Sequence, residues 1–174
     1  MDRRLFSAFW AFFGFLFLSG CVSIPSKHNP KAAAPEKVAT SYPPEKIASF
    51  TQGSEASVTL PPATQSLPSV DALFTLSSSL GLSARQLSLI ARIKFDTKDE
   101  VVPLGAQLLK KDGLLLEEVY KKTPRIKVIK KLIFEIAKLE AAIRLAHIKA
   151  RLESKDILSK RQQAAYHDRQ GKRL

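Results

Sequence analysis

Two serine–glutamine pairs are the most regular arrangement of polar side chains in the sequence, since each belongs to one copy of the pattern Leu-Ser-x-x-Gln. The copies contain Leu82, Ser83 and Gln86, and Leu158, Ser159 and Gln162. A serine just before a helix accepts a hydrogen bond from a free N–H of the first turn, and a glutamine three residues later accepts one from the N–H of the serine. The spacing therefore predicts two helix starts rather than two active sites.

The other residue types that could carry out catalysis are scattered. No nucleophile stands with a base and an orienting group, no glycine-rich loop could cradle phosphate, and no pair of carboxylates lies in an apolar stretch. Serine and aspartate residues cluster at predicted helix starts and in proline-rich sequence. We therefore expect neither an enzyme nor a bound cofactor.

Cys21 is the only cysteine of the chain, and it directly follows Leu18-Ser19-Gly20 at the end of an apolar run that begins at Leu5. An apolar run this short, ending in small residues, is typical of a secretory signal. Together with the cysteine it resembles the bacterial lipobox, in which the thiol receives a diacylglycerol and becomes the mature N-terminus. The sequence thus predicts a signal peptide over residues 1–20 and lipidation of Cys21.

A lipidated Cys21 would tether the protein to the lipid bilayer, because several acyl chains hold far better than one. The bulk of the chain would then lie in the aqueous compartment. Val22 follows the cysteine, where an Asp would mark retention in the inner membrane. We therefore expect a bacterial envelope protein on the outer membrane, facing the periplasm.

The chain is strongly basic, with a formal net charge of +12 at pH 7. For an intracellular protein such a charge would suggest nucleic acid, but export makes nucleic acid an unexpected partner. The anionic partners of an envelope protein are lipid head groups, lipopolysaccharide phosphates, acidic polymers and acidic stretches of other proteins. A solvated surface that keeps the protein soluble is the alternative.

A metal site is not expected either. The three histidines, His28, His147 and His167, are not at ligand spacing. His147 is the only weak candidate, and Arg144 and Arg151 one turn on either side of it disfavour a cation. We expect His147 to be a partly exposed helical residue.

Composition divides the chain after the signal. From Cys21 to Ser69 prolines stand among Ser, Thr, Ala and Lys with no lasting apolar period, which predicts a disordered or extended linker over residues 21–69. Leu, Ile, Lys, Arg and Glu dominate residues 70–174, which we expect to form the folded, α-helical domain.

The folded part should hold two long helices. Residues 71–80 could form a short helix, and Ser83 should open the first long helix, which Pro103 should kink or interrupt. Thr123-Pro124 should open the second long helix, which should run to about Glu153. Ser159 should open a last helix.

The second long helix has an apolar face wider than one helix–helix contact requires. One seam steps by four and three residues: Leu132, Ile136, Leu139, Ile143, Ala146 and Ala150. Further apolar residues flank it: Ile129, Ile133, Leu145, Ile148 and Leu152. This width predicts packing against the first long helix and also against something else, such as a second subunit.

An exported chain with a helical hairpin bracketed by Leu-Thr-x-x-Gln motifs resembles the Spy/CpxP family, which includes ATP-independent periplasmic chaperones and heavy-metal sensor or resistance proteins. Both copies here carry Ser for Thr, which preserves the capping chemistry. The resemblance covers roughly residues 80–170. The long linker and lipid anchor depart from the chaperone members, which are soluble.

The resemblance implies an all-α fold with short helices flanking a long hairpin. It also implies an antiparallel homodimer whose basic, partly apolar concave face holds unfolded clients. The residues of this chain that fit such a face are Lys121, Lys122, Arg125, Ile126, Lys127, Ile129, Lys130 and Lys131. Attraction between lysines and acidic client segments accelerates capture.

Three functions follow as expectations. The first is binding of unfolded or regulatory envelope proteins without ATP, as a chaperone or stress-sensing adaptor. The second is a metal-responsive sensor. The third is a structural envelope lipoprotein that docks on anionic lipid or cell-wall polymer.

Overall fold

The structure, a computed structural model, describes residues 40–171. The predicted signal peptide, Cys21 and the predicted linker up to residue 39 lie outside these residues. Six α-helices follow one another in the order α1 (Pro44–Gln52), α2 (Val70–Thr75), α3 (Ser77–Leu80), α4 (Ala84–Val119), α5 (Ile126–Ile157) and α6 (Lys160–Gly171). Two 3₁₀ turns, Glu55–Ser57 and Pro62–Thr64, lie between α1 and α2.

The predicted all-α class is confirmed, because the described part of the chain is helical without strands and its two long helices pack as a hairpin. None of its helices combines the length and the apolar character that crossing a membrane requires. The short helix expected before Ser83 is present as α2 and α3, which meet at Leu76.

Of the two outcomes predicted at Pro103, a kink or an interruption, the interruption is wrong, since α4 is one helix of 36 residues with Pro103 inside it. A proline inside a helix removes one hydrogen bond and crowds the preceding turn. Val101 and Leu108 on either side are fully buried, and this burial holds both halves of α4 against the rest of the fold. Pro103 itself is exposed.

The predicted linker is wrong from residue 40 onward, because residues 40–69, here called the strap, are folded against the hairpin. Pro44 provides the fixed backbone angle of the first turn of α1, and Phe50 of the same helix is fully buried. Gly105 of α4 allows this contact, since a Cβ at Gly105 would lie 2.9 Å from the Cβ of Phe50. One large apolar side chain and one glycine thus dock α1 on the long helix.

The apolar core is divided into two clusters along the hairpin. The base cluster lies near the two Leu-Ser-x-x-Gln copies and contains Val70, Leu73, Leu80, Ile90, Ile93, Ala150, Leu158 and Tyr166. The middle cluster contains Phe50, Val101, Leu108, Ile143 and Ala146. The seam predicted on α5 is confirmed, because its members are buried in these clusters or packed against them, apart from Leu132, which is buried nearer the α4–α5 connection.

Candidate interaction surface at the hairpin tip

The carboxylate of Glu118 organises the connection between α4 and α5. Glu118 lies in the last turn of α4 and is only 2% exposed. Its Oε1 accepts hydrogen bonds from the backbone N–H of Arg125 at 3.0 Å and from Nε of Arg125 at 2.9 Å. Its Oε2 accepts from Nη2 of Arg125 at 2.9 Å and from Nζ of Lys121 at 2.5 Å. Four donors on one carboxylate fix the path of the connecting loop.

This arrangement corrects the predicted start of the second long helix. The first helical residue is Ile126 and the residue before it is Arg125, rather than Pro124 and Thr123. The N–H of Arg125 is held by Glu118 instead of by a side-chain cap. The end of α5 also lies beyond the predicted Glu153, at Ile157.

The ion pairs of the connecting loop shift the pKa values of Glu118 and Arg125. Hydrogen bonds from Arg125, and then from Lys121, hold the pKa of Glu118 well below its usual range, and the carboxylate in turn raises the pKa of Arg125. Glu118 therefore stays ionised and neutralises part of the positive charge of the loop.

All eight residues predicted to form the basic and apolar face lie at this end of the hairpin, here called the tip surface: Lys121, Lys122, Arg125, Ile126, Lys127, Ile129, Lys130 and Lys131. Seven of them are exposed and Ile129 is half-buried. Lys122, Lys127 and Lys130 form no ion pair with any residue of the described chain. These three lysines supply the uncompensated charge of the tip surface.

Large apolar side chains lie exposed beside these lysines. Tyr120, which sequence reasoning did not single out, is 83% exposed, and Ile126 is 75% exposed. Leu114 and Val119 of α4 are also exposed. The sequence does contain a pattern that indicates this apolar patch: Val119-Tyr120 stands directly before two lysines.

Closer to the middle of the hairpin, Glu135 of α5 forms an ion pair with Lys111 of α4. Nζ of Lys111 lies 2.6 Å from Oε2 of Glu135, and Nζ of Lys131 lies 3.8 Å from Oε1. The contact with Lys111 is the main cause that lowers the pKa of Glu135, against the opposing effect of burial. The carboxylate thus stays charged and links the helices.

The face of α5 that points away from α4 carries exposed apolar residues. Phe134, Leu145 and Leu152 are each about half exposed or more. Ala137, Ala141 and Ile148 continue the same steps of three and four residues. Of the flanking apolar residues predicted on this helix, Ile133, Leu145 and Leu152 are exposed, whereas Ile129 and Ile148 are half-buried. The expected occupant of this edge, a second subunit, stays a prediction.

The two Leu-Ser-x-x-Gln copies form the predicted helix starts and also contact each other. Gln86 Oε1 accepts from Ser83 N at 3.0 Å and Gln162 Oε1 accepts from Ser159 N at 2.9 Å, while each serine Oγ accepts from the N–H of its own glutamine. Gln86 Nε2 donates to Gln162 Oε1 at 2.9 Å, and Gln162 Nε2 donates to Gln86 Oε1 at 3.2 Å. We call this reciprocal pair the glutamine clasp.

Each glutamine of the clasp also holds the chain that leads into the other copy. Gln86 Nε2 donates to the carbonyl of Ile157 at 3.0 Å, and Gln162 Nε2 donates to the carbonyl of Gly81 at 3.3 Å. The clasp therefore joins the start of α4 to the start of α6. The clasp stabilises the fold. The sequence predicted the role of each glutamine at its own helix start, but not the contact between Gln86 and Gln162.

Gln163, which occupies the position where the first copy has Leu87, has its own role. Its Nε2 donates to the carbonyls of Lys155 at 3.1 Å and Leu158 at 3.0 Å. These carbonyls belong to the end of α5, where backbone acceptors lack helical partners. The second copy thus has, at the position that corresponds to Leu87, a side chain that caps the C-terminal end of α5.

His147 is buried, at 2% exposed, so its predicted partial exposure is wrong. It lines a cavity of about 190 Å³ between the strap, α2, α4 and α5, and its Nε2 has no hydrogen-bond partner in the described chain. Burial lowers its pKa, and so, to a lesser degree, does Arg151, while Glu55 and Asp71 oppose the change. Among the residues that the structure describes, no group of three His, Cys, Asp or Glu could hold a metal ion.

The strap is fastened to the hairpin at its N-terminal end by two acidic residues. Asp112 of α4 is 5% exposed and accepts from Thr40 Oγ1 at 2.7 Å, from Ser41 N at 2.6 Å and from Ser41 Oγ at 2.8 Å. Tyr42 donates its hydroxyl hydrogen to Glu140 Oε1 at 2.9 Å. Burial, and then the bond to Glu140, raises the pKa of the Tyr42 phenol.

Arg151 fastens the middle of the strap to α5. Its Nε and Nη2 donate to the two carboxylate oxygens of Glu55 at 3.0 and 2.8 Å. Its Nη1 donates to the carbonyls of Thr64 at 3.0 Å and Leu67 at 2.8 Å. One arginine thus holds both 3₁₀ turns of the strap.

Comparison with known proteins adds no relative, since no family model, no curated protein and no solved structure matches this chain. The likeness to the Spy/CpxP family remains a prediction from the two motifs.

Proposed function

We propose that the protein binds unfolded or partner proteins of the bacterial envelope without ATP, through its tip surface, while a lipid on Cys21 tethers it to the outer membrane. The observation that carries this proposal is the exposure of Tyr120 and Ile126 beside Lys122 and Lys127. Exposed apolar patches rimmed by polar groups mark interaction sites. Because Glu118 fixes the loop, the patch is presented in one arrangement.

Charge and apolar contact have separate roles in this surface. The uncompensated lysines attract acidic segments from a distance and raise the association rate, an effect that salt weakens. Tyr120 and Ile126 then supply contact area after encounter. Capture should therefore be slower in high salt, whereas the contact itself depends on the two apolar side chains.

Suppression of aggregation tests the proposal. Non-lipidated protein should reduce light scattering by reduced α-lactalbumin, an acidic client, and the double variant Tyr120→Ser/Ile126→Ser should lose most of this effect. Phe95→Ser is the matched control, because Phe95 is also an exposed aromatic but lies on α4 towards the base. No suppression by the unaltered protein at several-fold molar excess, or equal suppression by the double variant, would refute the proposal.

The membrane tether is tested separately. Cells that express the full chain should incorporate labelled palmitate into it and retain it in the outer-membrane fraction, whereas Cys21→Ser should abolish both. Labelling of the Cys21→Ser variant would show that the lipid is elsewhere. Fractionation with the inner membrane would contradict the proposed location.

A homodimer through the outward face of α5 is part of the proposal. Phe134, Leu145 and Leu152 are exposed at coiled-coil spacing, as a helix that packs on a second copy requires. Sedimentation of non-lipidated protein should show a dimer that Leu145→Lys converts to a monomer. A monomer at all concentrations would remove the dimer from the proposal and leave the tip surface as it stands.

Docking of the tip on anionic lipid is the second candidate function, because Lys122, Lys127 and Lys130 carry uncompensated charge next to exposed apolar groups. Non-lipidated protein should then sediment with phosphatidylglycerol vesicles but not with phosphatidylcholine vesicles. Sedimentation that is unchanged by Lys122→Gln/Lys127→Gln would remove this candidate.

A further inference from the structure

Buried side-chain polar atoms without hydrogen-bond partners occur in both the strap and α5. Among the described residues four buried side-chain atoms have no hydrogen-bond partner, and Ser57 Oγ, His147 Nε2 and Ser154 Oγ are three of them. The fourth, Glu135 Oε2, lies 2.6 Å from Nζ of Lys111 and so has an ionic partner. Ser57 belongs to the strap, and His147 and Ser154 lie on one face of α5 together with Arg151.

The segment over this interface, residues 53–69, has little regular structure of its own. It contains only the two 3₁₀ turns. Arg151 binds Glu55 and two carbonyls, and Nε of Arg144 donates to the carbonyl of Thr59 at 2.9 Å. Val58 packs against the middle cluster and Pro68 is buried. The neighbouring α1 and α2 have separate apolar anchors in Phe50 and Leu73. Release of residues 53–69 therefore breaks the bonds of Arg151 and Arg144 and withdraws Val58 and Pro68, while Phe50 and Leu73 keep both helices docked.

Charged groups face His147 from every element around it. Glu55 approaches from the strap, Asp71 from α2, Lys94 from α4 and Arg151 from the next turn of α5. Two of the four are acids, but each is already paired: Glu55 with Arg151, and Asp71 with Lys94 at 2.7 Å. A proton on His147 would therefore place a third cation among paired charges, on a ring that is only 2% exposed.

We propose that residues 53–69 form an acid-released latch: protonation of His147 weakens their docking on α5, opens them and exposes the apolar and polar groove beneath. The ionised imidazole regains water in the open state and lacks it in the closed state, because the closed state buries the ring. The latch is independent of the proposed client binding, since it concerns only the protein itself.

The direction with pH follows from the two states. Burial lowers the pKa of His147 in the closed state below its ordinary 6.5, so the open state binds more protons as the pH falls below 6.5. Docking of residues 53–69 on α5 is therefore favoured at pH values above 6.5 and is lost progressively as the pH falls below 6.5. One proton changes the opening equilibrium by at most about tenfold per pH unit. The comparison of pH 7.5 with pH 5.0 therefore spans the ordinary pKa of a histidine, 6.5.

Amide hydrogen exchange of the non-lipidated protein, expressed as protection factors, tests the latch. Several amides of residues 53–69 donate in local turns, such as Ser57 to Ser54 and Leu67 to Thr64. Their protection should fall several-fold between pH 7.5 and pH 5.0, while amides of α4 and α5 in the middle cluster keep theirs. Equal protection at both pH values would overturn the proposal.

Variants assign the proton. His147→Leu should abolish the pH response, and His167→Gln, at an exposed histidine of α6, should retain it. A response that persists in His147→Leu, or is lost in His167→Gln, would overturn the assignment. If His147→Leu fails to fold, His147→Gln replaces it as the neutral variant with the same two outcomes. Glu55→Gln, which weakens the bond to Arg151, should lower protection at pH 7.5 already, and unchanged protection there would contradict the latch.

Discussion

The glutamine clasp provides the sharpest quantitative test of the fold. Gln86→Ala removes four hydrogen bonds of one side chain: the bond from Ser83, the bond to Ile157, and the two bonds shared with Gln162. At about 0.5–1.5 kcal/mol net for each bond, and with partial access to water, the variant should lose about 2–4 kcal/mol of unfolding free energy. Gln162→Ala should behave similarly, because its bonds mirror those of Gln86.

The clasp itself is measured by the coupling between the two changes. The double variant should lose less than the sum of the single variants by about 1–2 kcal/mol, since the two shared bonds can be lost only once. Urea unfolding followed by circular dichroism gives the three values. Additive losses within about 0.3–0.5 kcal/mol would show that the glutamines act only as separate caps, and would refute the clasp.

A matched variant separates capping from clasping. Gln86→Glu keeps an oxygen that can accept from Ser83 but cannot donate to Ile157 or Gln162 while it is ionised. It should therefore be destabilising at pH 7, and part of the loss should be recovered in acid, when the carboxyl group can donate. If Gln86→Glu has the same unfolding free energy as the unaltered protein at pH 7, only the cap bond from Ser83 contributes to stability, and the bonds that Gln86 donates do not.

Three further changes have defined outcomes. Phe50→Ala should lower the unfolding free energy by about 3–5 kcal/mol, measured by urea unfolding, because it empties a fully buried site against Gly105. Gly105→Ala should expose α1 to limited proteolysis, since its new Cβ would lie 2.9 Å from that of Phe50; an unchanged digestion pattern would contradict this contact. Glu118→Gln should lower the melting temperature at pH 7. The difference in melting temperature between the variant and the unaltered protein should shrink as the pH falls below 4.5, the ordinary pKa of a glutamate, because Arg125 lowers the pKa of Glu118 in the folded state. A difference that does not change with pH would show that the charge of Glu118 has no part.

The long helices were predictable from the sequence because their signals are local and repeated. Ser83 with Gln86 and Ser159 with Gln162 predicted helix starts from hydrogen-bond chemistry alone, and the seam from Leu132 to Ala150 predicted the buried face of α5 from its period. The strap was missed because its docking depends on single residues far apart in sequence. Phe50 is isolated among polar residues and prolines, and no local sequence pattern predicts that it packs against Gly105.

The tip surface was half predictable for the same reason. Its lysines and Ile126 stand together in the sequence, and the resemblance to the Spy/CpxP family predicted that they form one face. The burial of Glu118 did not follow, because an acidic residue in the last turn of a helix, close to several cations, usually remains solvated. The helix start predicted at Thr123 and the interruption predicted at Pro103 were wrong because tertiary contacts outweigh local preference. These contacts are the hydrogen bonds of Glu118 at the start of α5 and the burial of Val101 and Leu108 in α4.

The uneven distribution of the core along the hairpin implies a gradient of local stability. The base and middle clusters hold most of the buried apolar residues, whereas Leu132 is the only buried apolar side chain between Leu108 and Ile143 in the described chain. Amides near the connecting loop should therefore exchange through small openings of low free energy, and those near the base through much larger ones. The surface proposed to receive partners thus lies on the part of the hairpin that is easiest to open, so a bound partner should slow exchange most at that end.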